Sequence, residues 1–104
     1  QPSALGLDVC AFIMITLSED NKYSEVVAAL KRMPEIVECH FITGKADLLI
    51  KVYCTDNNHL MDLLMSMNQK IPYVKSTDTL LSLNEAFDRQ VWVKKGPEKN
   101  EVWK

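Results

Sequence analysis

The feature that most constrains this chain is a strand–helix–strand rhythm written twice within 104 residues. Leu7 to Leu17 is rich in Val, Ile, Phe and Thr and holds neither proline nor glycine, which predicts a long first strand. Ser18 to Asn21 breaks it and offers a helix N-cap at Asp20 or Asn21. Tyr23, Val26, Val27 and Leu30 then recur at the spacing of one helix face, and Lys31 and Arg32 suit the negative end of the helix dipole. Pro34 disfavours helical geometry at Met33 and ends the helix there. Ile36 to Thr43 is the next strand, Gly44-Lys45-Ala46 a turn, and Leu48 to Thr55 the strand returning from it. Thr55, Asp56 and Asn57 cap a second helix carrying Leu60, Leu63, Leu64 and Met67 on one face, which must stop by Ile71 because Pro72 follows. Tyr73 to Leu83 alternates as a final strand.

Strand, helix, strand, strand, helix, strand is the order of an α+β, ferredoxin-like βαββαβ fold: a four-stranded antiparallel sheet with both helices on one face. A second core would need roughly another 100 residues, so one domain is expected over 7–84. Residues 1–6 read as a junction leading into it. Residues 85–104 read as a partly disordered extension, because Gly96, Pro97 and a cluster of charges from Lys94 to Glu101 lack apolar periodicity. Phe87, Val91 and Trp92 precede that cluster and could pack back onto the domain.

Charge and cysteine content exclude several functions. Lys and Arg total 12 against 14 Asp and Glu, a net charge of −2, so these residues cannot neutralise the several phosphates that duplex binding requires. No apolar run approaches ~18 residues, so no membrane span is expected. Cys10, Cys39 and Cys54 form an odd set without a CxxC pair, which reads as reduced thiols in a cytoplasmic protein, each a small buried hydrophobe. Neighbouring Cys39 and His40 point to opposite faces of a strand and cannot share a metal. His59, in the first turn of the second helix, is expected to be solvated. No nucleophile with a base, phosphate loop or zinc ligand set is present, so neither catalysis nor a cofactor is expected.

The first strand departs from the pattern of a lone sheet. A sheet covered by helices on one face should alternate apolar inward and polar outward. Here Val9, Ala11, Ile13, Ile15 and Leu17 form one face, but Cys10, Phe12 and Met14 make the other apolar too. In the third strand Leu49, Lys51 and Tyr53 give a mixed outer face. An uncovered apolar patch marks an interface, and burying it on its own copy would give a two-fold dimer with Cys10, Phe12 and Met14 at the contact. The competing reading folds the C-terminal segment, with Phe87 and Trp92, over that face.

Four pieces in register resemble the effector domain of the Lrp/AsnC family of transcription regulators. Leu5-Gly6-Leu7-Asp8-Val9 is similar to the junction into that domain, and Pro34-Glu35-Ile36-Val37-Glu38-Cys39-His40 to its helix exit and second strand. Thr43-Gly44-Lys45-Ala46-Asp47, running on to Val52, resembles its glycine hairpin and third strand. Ile71-Pro72-Tyr73-Val74 and Thr77-Asp78-Thr79 resemble its final strand. The resemblance implies an amino-acid-sensing domain, dimeric through its sheets and assembled further into octamers. In the family it follows an N-terminal helix-turn-helix that contacts DNA. A chain beginning at Gln1, at the junction, fits a fragment lacking that domain better than a stand-alone member.

The resemblance also places an effector site on the hairpin and the last strand, between dimers. Gly44 lets backbone amides approach a carboxylate, and Asp47 offers an ammonium acceptor. Thr77 and Thr79 put two hydroxyls on one strand face. On residue type alone these read first as a turn glycine, a hairpin-capping aspartate and ordinary strand threonines. Ala46 departs from the family, which often carries an aromatic there, and removes one wall of the expected pocket. Two other readings remain: a dimeric α+β barrel enzyme, disfavoured by an aliphatic cleft, and an assembly module without a ligand.

Overall fold

The computed structural model describes residues 6–91. Four strands and two helices follow the expected order: β1 (Val9–Leu17), α1 (Tyr23–Lys31), β2 (Ile36–Phe41), β3 (Leu48–Cys54), α2 (Asn57–Lys70) and β4 (Val74–Ser82). The sheet runs β2-β3-β1-β4 with every neighbouring pair antiparallel, the ferredoxin-like arrangement. β1 and β3 lie in the middle, which is why both read as apolar over nearly their full length.

Alternation along the two central strands builds the core. Ala11, Ile13, Ile15 and Leu17 of β1 and Leu48, Ile50, Val52 and Cys54 of β3 are buried towards the helices. The register sets Ile13 opposite Ile50 and Ile15 opposite Leu48, so the two rows stack side by side. Val26, Ala29 and Leu30 of α1 and Leu60, Leu63 and Met67 of α2 close over them. Each such aliphatic side chain contributes about 1.5–3 kcal/mol on full burial.

Element ends show where tertiary contacts override local signals. The second helix starts as expected, with Asp56 at its N-cap accepting the His59 N–H at 2.8 Å. The first does not. Its N-cap is Lys22, without a side-chain cap bond, rather than Asp20 or Asn21. Tyr23 instead anchors that end: its ring meets Phe41 edge-on at 5.3 Å, and its hydroxyl reaches Asp47. The first strand begins at Val9 rather than Leu7 because Val9 pairs with Cys54, the last residue of β3. The second stops at Phe41 rather than Thr43, and Ile42 N–H donates to the Asp47 carbonyl at 3.1 Å to close the hairpin. Tyr73 lies outside the last strand with φ +63°, its carbonyl accepting from Ser18 N–H at 2.8 Å.

The cysteines correct the sequence reading in part. Cys54 is buried, and burial pushes its thiol pKa up. Cys10 is half-buried, and Cys39 is exposed although it faces the helix side opposite Ile50. β2 is an edge strand, and α1 does not fully cover it. Phe87 of the C-terminal segment is not buried either, at 71% exposed. Trp92, the charged cluster from Lys94 to Glu101, Val102 and Trp103 lie outside the described residues, as do residues 1–5.

Candidate functional site

The hairpin between β2 and β3 is built around Gly44 and Asp47. Gly44 takes φ +103°, a conformation that L side chains rarely adopt, while nothing lies within 4 Å of where its Cβ would be. The requirement for glycine is therefore conformational rather than steric. Asp47 ties the hairpin to the far end of β1. Its carboxylate accepts Leu17 N–H at 2.8 Å and the Tyr23 hydroxyl at 3.2 Å, while its own N–H donates to the Ile15 carbonyl at 2.9 Å. Burial and the Asp47 carboxylate beside it raise the Tyr23 pKa, which keeps the phenol a donor. Asp47, the expected ammonium acceptor, also pins together β1, α1 and the hairpin. A carboxylate has about four acceptor positions, so two stay open after these bonds.

Thr77 and Thr79 pair with Ile15 and Ile13 on the outer side of β1 and share the helix-facing side of β4. Thr77 is exposed and Thr79 half-buried. The hairpin joins the other side of β1 at the same end of the sheet, where Leu48 pairs with Ile15. One strand thus separates the threonines from the hairpin, a span of about 10 Å or two strand spacings. Within one protomer the four residues share an end of the sheet without converging on one small group.

The uncovered face is continuous. Cys10, Phe12 and Met14 occupy its centre, each half-buried, flanked by Leu49, Lys51 and Tyr53 of β3 and by Leu80 of β4, which is 50% exposed. A charged row missed by the sequence reading crosses it from β2. His40 pairs with Leu49 and Glu38 with Lys51, so both side chains lie on this face. The His40 Nε2–H donates to Glu38 Oε1 at 2.9 Å, and Glu38 Oε2 lies 3.8 Å from Lys51 Nζ. The Lys51 ammonium also sits over the rings of Tyr53 and Phe12, at 5.3 and 5.8 Å. The i, i+2 spacing of Glu38 and His40 was the available signal, but the pairing with Lys51 needs the strand register.

His59 corrects a second expectation, for it is part of the framework rather than solvated. Its Nδ1 accepts Thr55 N–H at 3.0 Å, which leaves the proton on Nε2 to be donated to Glu35 Oε2 at 3.0 Å. The Glu35 carbonyl in turn accepts Tyr53 N–H at 3.0 Å. That imidazole hydrogen bond, against the opposing effect of partial burial, holds the Glu35 carboxyl below its usual range. Among the described residues no His, Cys, Asp and Glu cluster has the arrangement of a metal site, and no helix is long and apolar enough to cross a membrane.

Residues 10–92 match the family described as the Lrp/AsnC ligand binding domain, and the chain belongs to that family. It is 33% identical over 90 residues to the regulatory protein AsnC of Escherichia coli, covering 86% of this chain and 59% of that protein. The HTH-type transcriptional regulator FL11 of Pyrococcus furiosus is 38% identical over 82 residues, covering 79% of this chain and 53% of that one. The solved structure of E. coli AsnC superposes with a TM-score of 0.83 over 88% of this chain and 61% of that chain. A feast or famine regulatory protein from M. tuberculosis, complexed with L-methionine, superposes at 0.76 with 26% identity, over 86% of this chain and 60% of that one. The chain thus spans about three-fifths of the length of E. coli AsnC. These relatives are named as regulators and not as enzymes, in line with the sequence reading.

Proposed function

We propose that this chain is the amino-acid-sensing and self-assembling domain of a transcription regulator, dimerising through its bare sheet face and meeting DNA through a helix-turn-helix domain outside these residues. The observation that carries this reading is the separation at the sheet's end. Hairpin and threonines lie a strand apart, so a free amino acid can touch both kinds of group only where two protomers meet. Such a shared site links ligand to assembly, because an effector shifts the equilibrium by its difference in affinity for the two states. The ammonium would take the open acceptor positions of Asp47. The carboxylate would take amides of the Gly44 turn from one protomer or the Thr77 and Thr79 hydroxyls from another. The L-methionine complex of the M. tuberculosis relative supports an amino acid as the class of ligand.

Calorimetry across the twenty amino acids, on wild type and Thr79→Val, tests the reading. Wild type should bind at least one amino acid, and the variant should lose at least about tenfold in affinity, or 1.4 kcal/mol. Equal binding by both would remove β4 from the site. No binding by wild type would leave an assembly module without a sensor.

A further inference from the structure

We propose that the sheet-face dimer is proton-linked: it forms with the His40 imidazole neutral, and protonation of the His40–Glu38–Lys51 row drives it apart. The inference rests on the face-to-face dimer proposed above and names its regulation.

Glu38 is the single anion of this row and serves two partners, His40 through Oε1 at 2.9 Å and Lys51 through Oε2 at 3.8 Å. With His40 neutral, its Nε2–H satisfies one carboxylate oxygen, and the ammonium balances the carboxylate charge. The row is then neutral overall and can leave water at modest cost. A proton on His40 adds a positive charge that no second anion answers.

The surroundings offer no relief. Leu49 lies opposite His40 on β3, with Met14 beyond it on β1. Phe12 and Tyr53 carry the Lys51 ammonium on their faces, and the side chain of Lys51 is only 19% exposed. Tyr53 raises the Lys51 pKa despite partial burial, and Glu38 and Cys10 add to the rise, so Lys51 cannot shed its proton to compensate. Cys10 and Tyr53 are the remaining titratable side chains of β1 and β3 on this face. Asp8 and Glu85 line the cleft with Cys10, Phe12, Lys51 and Tyr53, at the end of the face away from His40. The anion that β4 brings to this face is Asp78, opposite Met14. It stands three strand spacings from β2, about 14 Å, beyond the ~8 Å screening length of physiological salt.

Two-fold symmetry doubles the effect. An identical row enters the same contact from the second protomer, so protonation at both sites places two unanswered positive charges in one dehydrated layer. Free protomers leave both rows in water and tolerate that charge. The dimer therefore binds fewer protons than two monomers, and linkage requires its association constant to fall as pH drops through the histidine range.

Sedimentation equilibrium of the 104-residue chain between about pH 8 and about pH 5.5 tests the inference. Release of up to one proton per protomer allows the constant to fall by as much as about 100-fold per pH unit, and a loss of at least tenfold across the range is expected. His40→Gln keeps a donor for Glu38 without a titrating ring, and should dimerise equally at both ends. His59→Gln, which changes the other histidine, should keep the wild-type dependence. A wild-type dimer indifferent to pH, or a His40→Gln protein that still dissociates in acid, would overturn the proton linkage and leave the dimer standing. A wild type that is monomeric at every pH would overturn the dimer itself, and the linkage with it.

Discussion

The two faces of this sheet are made by the same strands and do opposite jobs. On the helix side Ile13, Ile15, Leu48 and Ile50 are fully buried within one protomer. One residue along, Phe12, Met14 and Leu49 are no less apolar, yet they stay half-buried on the side away from α1 and α2. The helix side is closed by α1 and α2 and holds no buried polar residue among those described. The bare side carries a charged row inside an apolar field. A face finished within one chain can be purely apolar. The bare face, proposed to be completed by association, must also stay soluble alone and fix the orientation of its partner, and charges among hydrophobes serve both needs.

Substitutions at adjacent residues of β1 separate the two faces most strongly. Ile13→Ala should cost about 2–5 kcal/mol of folding stability, read as a fall in the denaturant midpoint, because its cavity has no route to collapse between two helices and a sheet. Phe12→Asp should leave the monomer's circular dichroism unchanged and weaken self-association by about 2–4 kcal/mol, roughly 30- to 1,000-fold. Should Phe12→Asp unfold the protein instead, the bare face would be part of the monomer's own core.

At the end of the sheet, Asp47→Ala removes the acceptor for Leu17 N–H and for the Tyr23 hydroxyl. A loss of about 1–3 kcal/mol is expected in chemical denaturation, with the hairpin and the start of α1 showing the largest gain in hydrogen exchange. Because the same carboxylate is proposed to meet the ligand, Thr79→Val separates binding from stability more cleanly than Asp47→Ala does.

The smallest effect concerns the pair below the helices. Glu35 has its folded pKa depressed by His59, so its contribution is fully present above the unfolded carboxylate value near 4.3 and is lost as pH falls through the folded value. At about a quarter exposure the pair is worth about 1 kcal/mol or less. Glu35→Gln should therefore lower the neutral plateau by up to that amount and leave stability at the acid end unchanged, which flattens the acid limb of the curve. An unchanged acid limb would mean that the His59 contact adds nothing to the fold.

Much of this molecule was legible in the residue pattern, and the misses share one cause. The strand–helix–strand order, both helix stripes, the glycine turn and the two apolar faces of β1 are local periodicities, set by side-chain spacing along one segment. Asp56 as a cap was equally local, because its partner His59 lies three residues on. Lys22 in place of Asp20 or Asn21, the anchoring of His59 and the exposure of Cys39 each depend on residues 20 or more positions away or on how far a helix reaches.

The candidate site divides in the same way. Gly44 was readable because a tight turn needs a residue free to take positive φ. Thr77 and Thr79 were readable as one face because strands alternate. The order of the strands was not written in any of them. Only β1 lying between β4 and the hairpin separates the threonines from Asp47, and only the β2–β3 register brings Glu38 to Lys51. The sequence alone determined the elements and which of their faces avoid water, since these follow from periods of two and 3.6 residues. The tertiary structure alone decided which carboxylate meets which donor, because hydrogen bonds and ion pairs act over a few ångströms between residues that the chain itself leaves far apart.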